Sequence, residues 1–179
     1  MSKPDDTALI HDTVRGDRQA FETLLQRYER PVFNAAYRML NSSEDAKDVT
    51  QTVFLKAFEK LDQFDPSYRF FSWIYRIAIN ESINCLKKQN RLQSLAREPI
   101  SETGGPDEQT GDAQQARRIQ SALMTIKPEY RSVLVLRHFL GCNYLEISQI
   151  LDIPEKKVKS RLYSGRCLLR DALKDSGLH

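Results

Sequence analysis

The chain has 179 residues, room for one ordinary domain or two small ones, and its 40% hydrophobic content can build real cores. Seven Gly, seven Pro and scarce apolar/polar alternation argue against a β-rich fold, and three scattered cysteines (Cys85, Cys142, Cys167) in no CxxC pair argue against a disulfide framework or zinc ribbon. The net charge of +3 is uneven, +1 over residues 1–95, −4 over 96–113 and +6 over 114–179, so the C-terminal third is the part suited to phosphate.

The opening stretch "MSKPDDTALIHD" is polar and acidic and lacks the apolar core of a signal peptide. No run in the chain approaches the roughly 18 apolar residues of a membrane span. The expectation is a soluble cytoplasmic protein with reduced thiols and no membrane insertion. Gly16 is expected to end a first short helix, and Asp17 to cap a second carrying Phe21, Leu24, Leu25 and Tyr28. Pro31 suits the first residue of a further helix, "PVFNAAYRML".

Asn41-Ser42-Ser43 then supplies caps, and Glu44-Asp45 suit the positive end of a helix dipole. Ala46, Val49, Val53, Ala57 and Leu61 follow at spacings of 3, 4, 4 and 4, a helix with one apolar face. Its outward side carries Asp48, Gln51, Thr52, Leu55 and Lys56. Such a side is ordinarily solvated; Leu55 among polar neighbours also fits a docking surface.

Asp65-Pro66 signals a turn, after which "SYRFFSWIYRIAINESINCLKK" resumes as a helix. Ile74, Ile77, Ala78, Leu86 and Trp73 fit its core face. Five aromatics lie between Tyr68 and Tyr75, too many to point inward from one helix and its leading turn, so Tyr68, Phe70 or Tyr75 is expected near the surface beside Arg69 and Arg76. Rings interleaved with Arg and with Asn80 and Asn84 are the ingredients of a single-strand platform, where each stacked base contributes ~1–3 kcal/mol. A generous helical core accounts for the same rings equally well.

"REPISETGGPDEQTGDAQQ" concentrates Gly, Pro and acids and reads as a flexible linker. The expected division is therefore all-α: a helical domain over 1–95, a linker over 96–113 and a second helical domain over 114–179. In the second domain Pro128 can open a helix that Gly141 closes, and Asn143 with Glu146 forms a capping-box pattern. "YLEISQIL", the turn "DIP" and "EKKVKSRLYSGRCLLRDAL" make a helix-turn-helix pattern. The second of these helices has an inward stripe, Val158, Leu162, Gly165, Leu169 and Ala172, with Gly165 permitting close packing. Lys156, Lys159, Tyr163 and Arg166, flanked by Lys157, Ser160 and Arg161, form a basic stripe suited to a DNA major groove. Residues at the start of such a helix reach base edges, which points to Lys156, Lys157, Ser160 and Arg161 as readers and to Lys159, Tyr163 and Arg166 as anchors. His11, His138 and His179 stand apart, and no phosphate-binding glycine loop or nucleophile elbow is present, so no catalytic, metal or cofactor site is expected.

The blocks "EDAKDVTQTVFLKAFEKLDQFD", "FFSWIYRIAINESINCLKK" and "IKPEYRSVLVLRHFLGCNYLEISQILDIPEKKVKSRLYSGRCLLRDAL", in this order and spacing, resemble the two domains of bacterial sigma factors of the sigma-70 family, extracytoplasmic function group. The resemblance implies a factor that binds core RNA polymerase, with Asp48, Gln51, Thr52 and Leu55 on the clamp helices of the β′ subunit and further contacts to the β subunit. It implies that Phe64, Tyr68, Arg69 and Phe70 surround a flipped base of the minus-ten promoter element, beside Arg76, Asn80 and Asn84, and that the helix-turn-helix reads the minus-thirty-five element as duplex. It further implies restraint by an anti-sigma factor, which could hold the protein near a membrane. The chain departs from the family pattern in Thr52 where an acid is usual, Asp152 where Gly is common, and Lys156-Lys157 in place of Gly-Thr. A shifted promoter preference is the expectation, with the helix-turn-helix intact because Asp tolerates a left-handed turn. The rival is a free-standing helix-turn-helix regulator, which would bind a palindromic duplex without polymerase.

Overall fold

A computed structural model of the protein describes residues 5–96 and 111–175. The described residues are helical, with turns and no strand. Most of the expected linker, residues 97–110, lies outside them.

The first unit holds α1 (Asp6–Val14), α2 (Arg18–Leu40), α3 (Ser43–Glu59), a 3₁₀ turn (Leu61–Gln63) and α4 (Phe70–Ala96). Helices α2, α3 and α4 pack on one another around Leu24, Val32, Met39, Val53, Ile74 and Ala78. The carboxylate of Asp17 starts α2 by accepting from the N–H groups of Gln19 and Ala20 at 2.9 and 3.3 Å. Gly16 turns the chain out of α1 at φ +100°, as its position suggested. Pro31 corrects the sequence expectation: it opens no helix, because α2 runs through it. Leu24, Val32, Ala36 and Met39 stay on one buried face, and their burial outweighs the roughly 3 kcal/mol that an interior proline costs. Asn41 ends α2 in the left-handed conformation at φ 56°.

The second unit holds α5 (Gly111–Thr125), α6 (Pro128–Leu134), a π turn continuing it (Val135–Phe139), α7 (Tyr144–Leu151) and α8 (Glu155–Asp175). Its core contains Leu123, Leu134, Leu136, Ile147, Ile150 and Leu162. Gly165 lies against α6: a Cβ there would meet Leu134 Cγ at 3.2 Å. The short turn between α7 and α8 is left-handed at Asp152, φ 54°, and Ser148 Oγ donates to the Ile153 carbonyl across it at 2.6 Å.

The two units pack together. Arg131 of α6 is buried and donates to the Met39 carbonyl at the end of α2 and to the Met124 and Ile126 carbonyls at the end of α5, a cation on the negative ends of two helices. Burial lowers its pKa to about 10, which leaves it charged at neutral pH. Gln120 of α5 accepts from Arg38 at 3.0 Å and donates to the Tyr37 and Arg38 carbonyls, while the Arg38 guanidinium lies 4.4 Å from the centre of the Phe139 ring. At the other end, α4 packs on α7.

Candidate nucleic-acid interface

Three exposed faces gather the residues singled out in the sequence. The first is on α3, whose start Ser42 caps by accepting from the Asp45 N–H at 3.2 Å. Ala46, Val49, Val53 and Ala57 turn inward, which leaves Asp48, Gln51 and Leu55 exposed and Thr52 half-exposed. Leu55 is 65% exposed and borders a groove of about 660 Å³ between α2 and α3, walled by Phe21, Leu25, Phe54 and Phe58. Phe58 was not picked out by sequence reading. It lies three residues after Leu55, one turn along the same side, and holds Phe21 edge-on at 5.0 Å.

The second face is the turn before α4 and the outer side of that helix. The Asp65 carboxylate accepts from the Ser67 N–H at 2.9 Å, which fixes the turn and holds its pKa below the usual carboxylate range. A pocket of about 180 Å³ opens beside it, walled by Phe64, Tyr68, Ser72, Trp73 and Arg76. The Ser72 hydroxyl, also missed by sequence reading, is buried there with no hydrogen-bond partner. Tyr68 is 50% exposed, as expected of one ring in this cluster. Phe70 is not at the surface: it is 3% exposed, edge-on to Tyr28 at 5.2 Å and Phe64 at 5.8 Å, so it props the pocket from behind. Tyr75 is likewise buried, and desolvation raises its pKa. Beyond the pocket Arg76, Asn80 and Asn84 lie exposed along one line of α4. Arg69 and Arg76 are exposed yet engaged, to Glu146 and Asp152 of the second unit, each at 2.9 Å.

The third face is on α8. The capping box is complete: Asn143 Oδ1 accepts from the Glu146 N–H at 2.9 Å, and the Glu146 carboxylate from the Asn143 N–H at 2.8 Å. Helix α7 and the turn thereby present the first residues of α8 to solvent. Lys156, Lys157, Lys159, Ser160, Tyr163 and Arg166 are exposed, and Val158 and Leu162 are buried, so the two stripes divide as their spacing suggested. Arg161 differs. It is half-buried and lies 3.7 Å from the Glu129 carboxylate, which ties it to α6 and away from the outermost edge. Arg166 donates to His138 Nε2 at 3.3 Å, and burial together with the Arg166 and Arg137 charges lowers the His138 pKa.

Among the described residues no group of His, Cys, Asp and Glu could hold a metal ion, and no helix is long and apolar enough to cross a membrane. All three cysteines are free; burial and the Glu146 charge push the Cys142 thiol up to about 12.

Comparison with known proteins bears on both units. The chain matches Sigma-70 region 2 over residues 24–92 and Sigma-70, region 4 over residues 116–167. It is 30% identical over 179 residues to the ECF RNA polymerase sigma factor SigW of Bacillus subtilis (strain 168), covering 93% of this chain and 95% of the relative. It is 32% identical over 174 residues to the ECF RNA polymerase sigma-E factor of Escherichia coli (strain K12), covering 90% of each. Among solved structures, CnrH in complex with the cytosolic domain of CnrY is similar with a TM-score of 0.73 at 26% identity, over 97% of this chain and 99% of that one. The sigma factor RpoE in complex with the anti-sigma factor NepR from Bartonella quintana shares the fold, with a TM-score of 0.75 at 21% identity over 86% and 96% of the two chains. With both regions present in order and a relative aligned over nearly its whole length, the chain belongs to the extracytoplasmic function group of RNA polymerase sigma factors, transcription initiation factors that are not enzymes.

Proposed function

We propose that the three faces divide the work of promoter recognition: the α3 face with its groove docks on the β′ clamp helices of core RNA polymerase, the pocket and outer side of α4 hold the melted minus-ten element, and α8 reads the minus-thirty-five element as duplex. The observation that supports this best is the chemical segregation of the faces. An apolar groove edged by Gln51 and Leu55 suits a protein helix. A small aromatic pocket continued by Arg76, Asn80 and Asn84 suits bases that have been unstacked, at a cost of a few kcal/mol that stacking and the polymerase offset. A helix with exposed Lys156, Lys157 and Ser160 at its start suits the major groove.

Phe70 acts in this reading as a support, and Arg161 as a brace to Glu129 that sets the pitch of α8. The domains are residues 1–95 and 114–179, joined by 96–113, and the factor works in the cytoplasm. An anti-sigma factor restrains it; the fold shared with RpoE, a sigma factor solved in complex with the anti-sigma factor NepR, supports that partner.

Three substitutions separate the roles. Leu55→Asp should weaken core binding at least tenfold, Asn80→Ala should lower open-complex formation without altering core affinity, and Lys157→Ala should weaken binding to minus-thirty-five duplex. All three residues are exposed, so the variants should fold. Equal loss of every activity in each folded variant would sink the division of roles.

A further inference from the structure

The pocket assigned to the minus-ten strand has one wall on a helix and one on a turn. Ser72, Trp73 and Arg76 stand on α4, whereas Phe64, Asp65 and Tyr68 stand on the turn before it. A cluster of three rings joins the two: Phe64 lies 5.4 Å from Trp73 and 5.8 Å from Phe70, and Phe70 lies 5.6 Å from Trp73. Phe70 is the buried member, and Tyr28 of α2, which is not in the pocket wall, meets it edge-on at 5.2 Å. Tyr28 is itself held. Its hydroxyl donates to the Asp6 carboxylate at the start of α1, and the Arg27 guanidinium donates to the other oxygen of the same group. Burial and the bond to Asp6 push the Tyr28 pKa above its ordinary value, so the hydroxyl stays a donor at working pH. Leu9 and Ile10 of α1 are buried, and α1 also packs on the 3₁₀ turn Leu61–Gln63 that leads into Phe64. The first helix therefore bears on the turn wall twice, through the 3₁₀ turn and through Tyr28.

We infer that Tyr28, anchored to α1 by Asp6, is a positioning residue that sets which base the minus-ten pocket accepts. The inference rests on the single-strand reading of that pocket. Tyr28 touches no DNA in this account and acts through Phe70. Its ring fixes Phe70, Phe70 fixes the spacing of Phe64 and Trp73, and that spacing decides which base outline fits between the walls. Discrimination between outlines needs the walls held to about 0.5 Å by the packing behind them. Stacking and phosphate contacts tolerate more movement, because every base has a ring face and a backbone charge. Loosening Tyr28 therefore costs selectivity before it costs affinity, whereas a purely structural role would lower binding of every strand alike.

The test uses the full-length protein bound to core polymerase and a randomised single-stranded oligonucleotide, with the bound strands sequenced to give the base preference at each position. The parent complex should favour one base strongly at one position. Tyr28→Leu, which removes the ring, should shrink that preference about two- to tenfold, the range that an aromatic edge contact carries. Tyr28→Phe, which keeps the ring and loses the bond to Asp6, should shrink it less. Affinity for core polymerase and for the oligonucleotide pool as a whole should stay close to the parent's in both. Gln89→Ala removes a bond from α4 to Asp45 of α3 at 2.9 Å, away from the pocket, and controls for general loosening of the unit. Its base preference should match the parent's. An unchanged preference in Tyr28→Leu would overturn the positioning role, and so would an equal fall in Gln89→Ala. A fall in Tyr28→Leu with none in Tyr28→Phe would overturn the part given to Asp6 and α1. A parent complex with no base preference on single strands would overturn the single-strand reading of the pocket, and the positioning role with it.

Discussion

The hydrogen bond from Arg166 Nε to His138 Nε2 at 3.3 Å needs an imidazole that is neutral at that nitrogen. Burial and the charges of Arg166 and Arg137 hold the His138 pKa below its ordinary value. The unfolded chain therefore takes up this proton first as pH falls, and stability decreases with it, starting near the ordinary histidine pKa of about 6.5. Denaturation midpoints should drop between neutral and mildly acid pH, and His138→Gln should flatten that drop; an unchanged slope in the variant would remove His138 as its source. Spacing places exposed helix residues well and buried ones less well at this scale. Asp48, Asn80 and Lys157 were legible because the opposite side of each helix is plainly apolar. Phe70 was not, since which ring of a crowded turn goes inward depends on Tyr28, which arrives from another helix. The half-burial of Arg161 was not legible for the same reason, its partner Glu129 being distant in the chain.

Elements with complete local signals formed where the sequence put them: α3 from its Ser42 cap and apolar spacing, α7 from its capping box, and the turn to α8 from the left-handed tolerance of Asp152. Pro31 misled because its strong local preference lost to a continuous apolar face on α2, which only the packed helices reveal. Gly165 was read correctly as a close-packing point. A Cβ there would lie 3.2 Å from Leu134 Cγ and 3.4 Å from the Tyr130 carbonyl oxygen, with backbone on one side that cannot move aside. Gly165→Leu should accordingly cost on the order of 1–3 kcal/mol of stability through overpacking of α8 on α6. A denaturant midpoint equal to that of the parent protein would show that α8 can shift freely on its neighbour.

At the scale of the whole molecule the two units and their order were legible, and their arrangement was not. Nothing in the spacing of Arg131 forecasts that it would donate to carbonyls ending two different helices, or that Gln120 would reach the end of α2. Such contacts depend on how the units dock, and their partners lie more than eighty residues apart where they cross between units. The α3 groove proposed to dock on polymerase is open in this arrangement, while Arg69 and Arg76 of the α4 face are exposed and paired with Glu146 and Asp152. Polymerase association is the claim on which the proposed division of the faces rests. The measurement that tests it most directly mixes the purified protein with sigma-free bacterial core polymerase and follows both complex formation and runoff transcription from promoter fragments. A stoichiometric complex that starts transcripts at discrete sites, and that Leu55→Asp disrupts, is the predicted result. A folded protein that forms no such complex and shifts duplex DNA by itself would contradict the account.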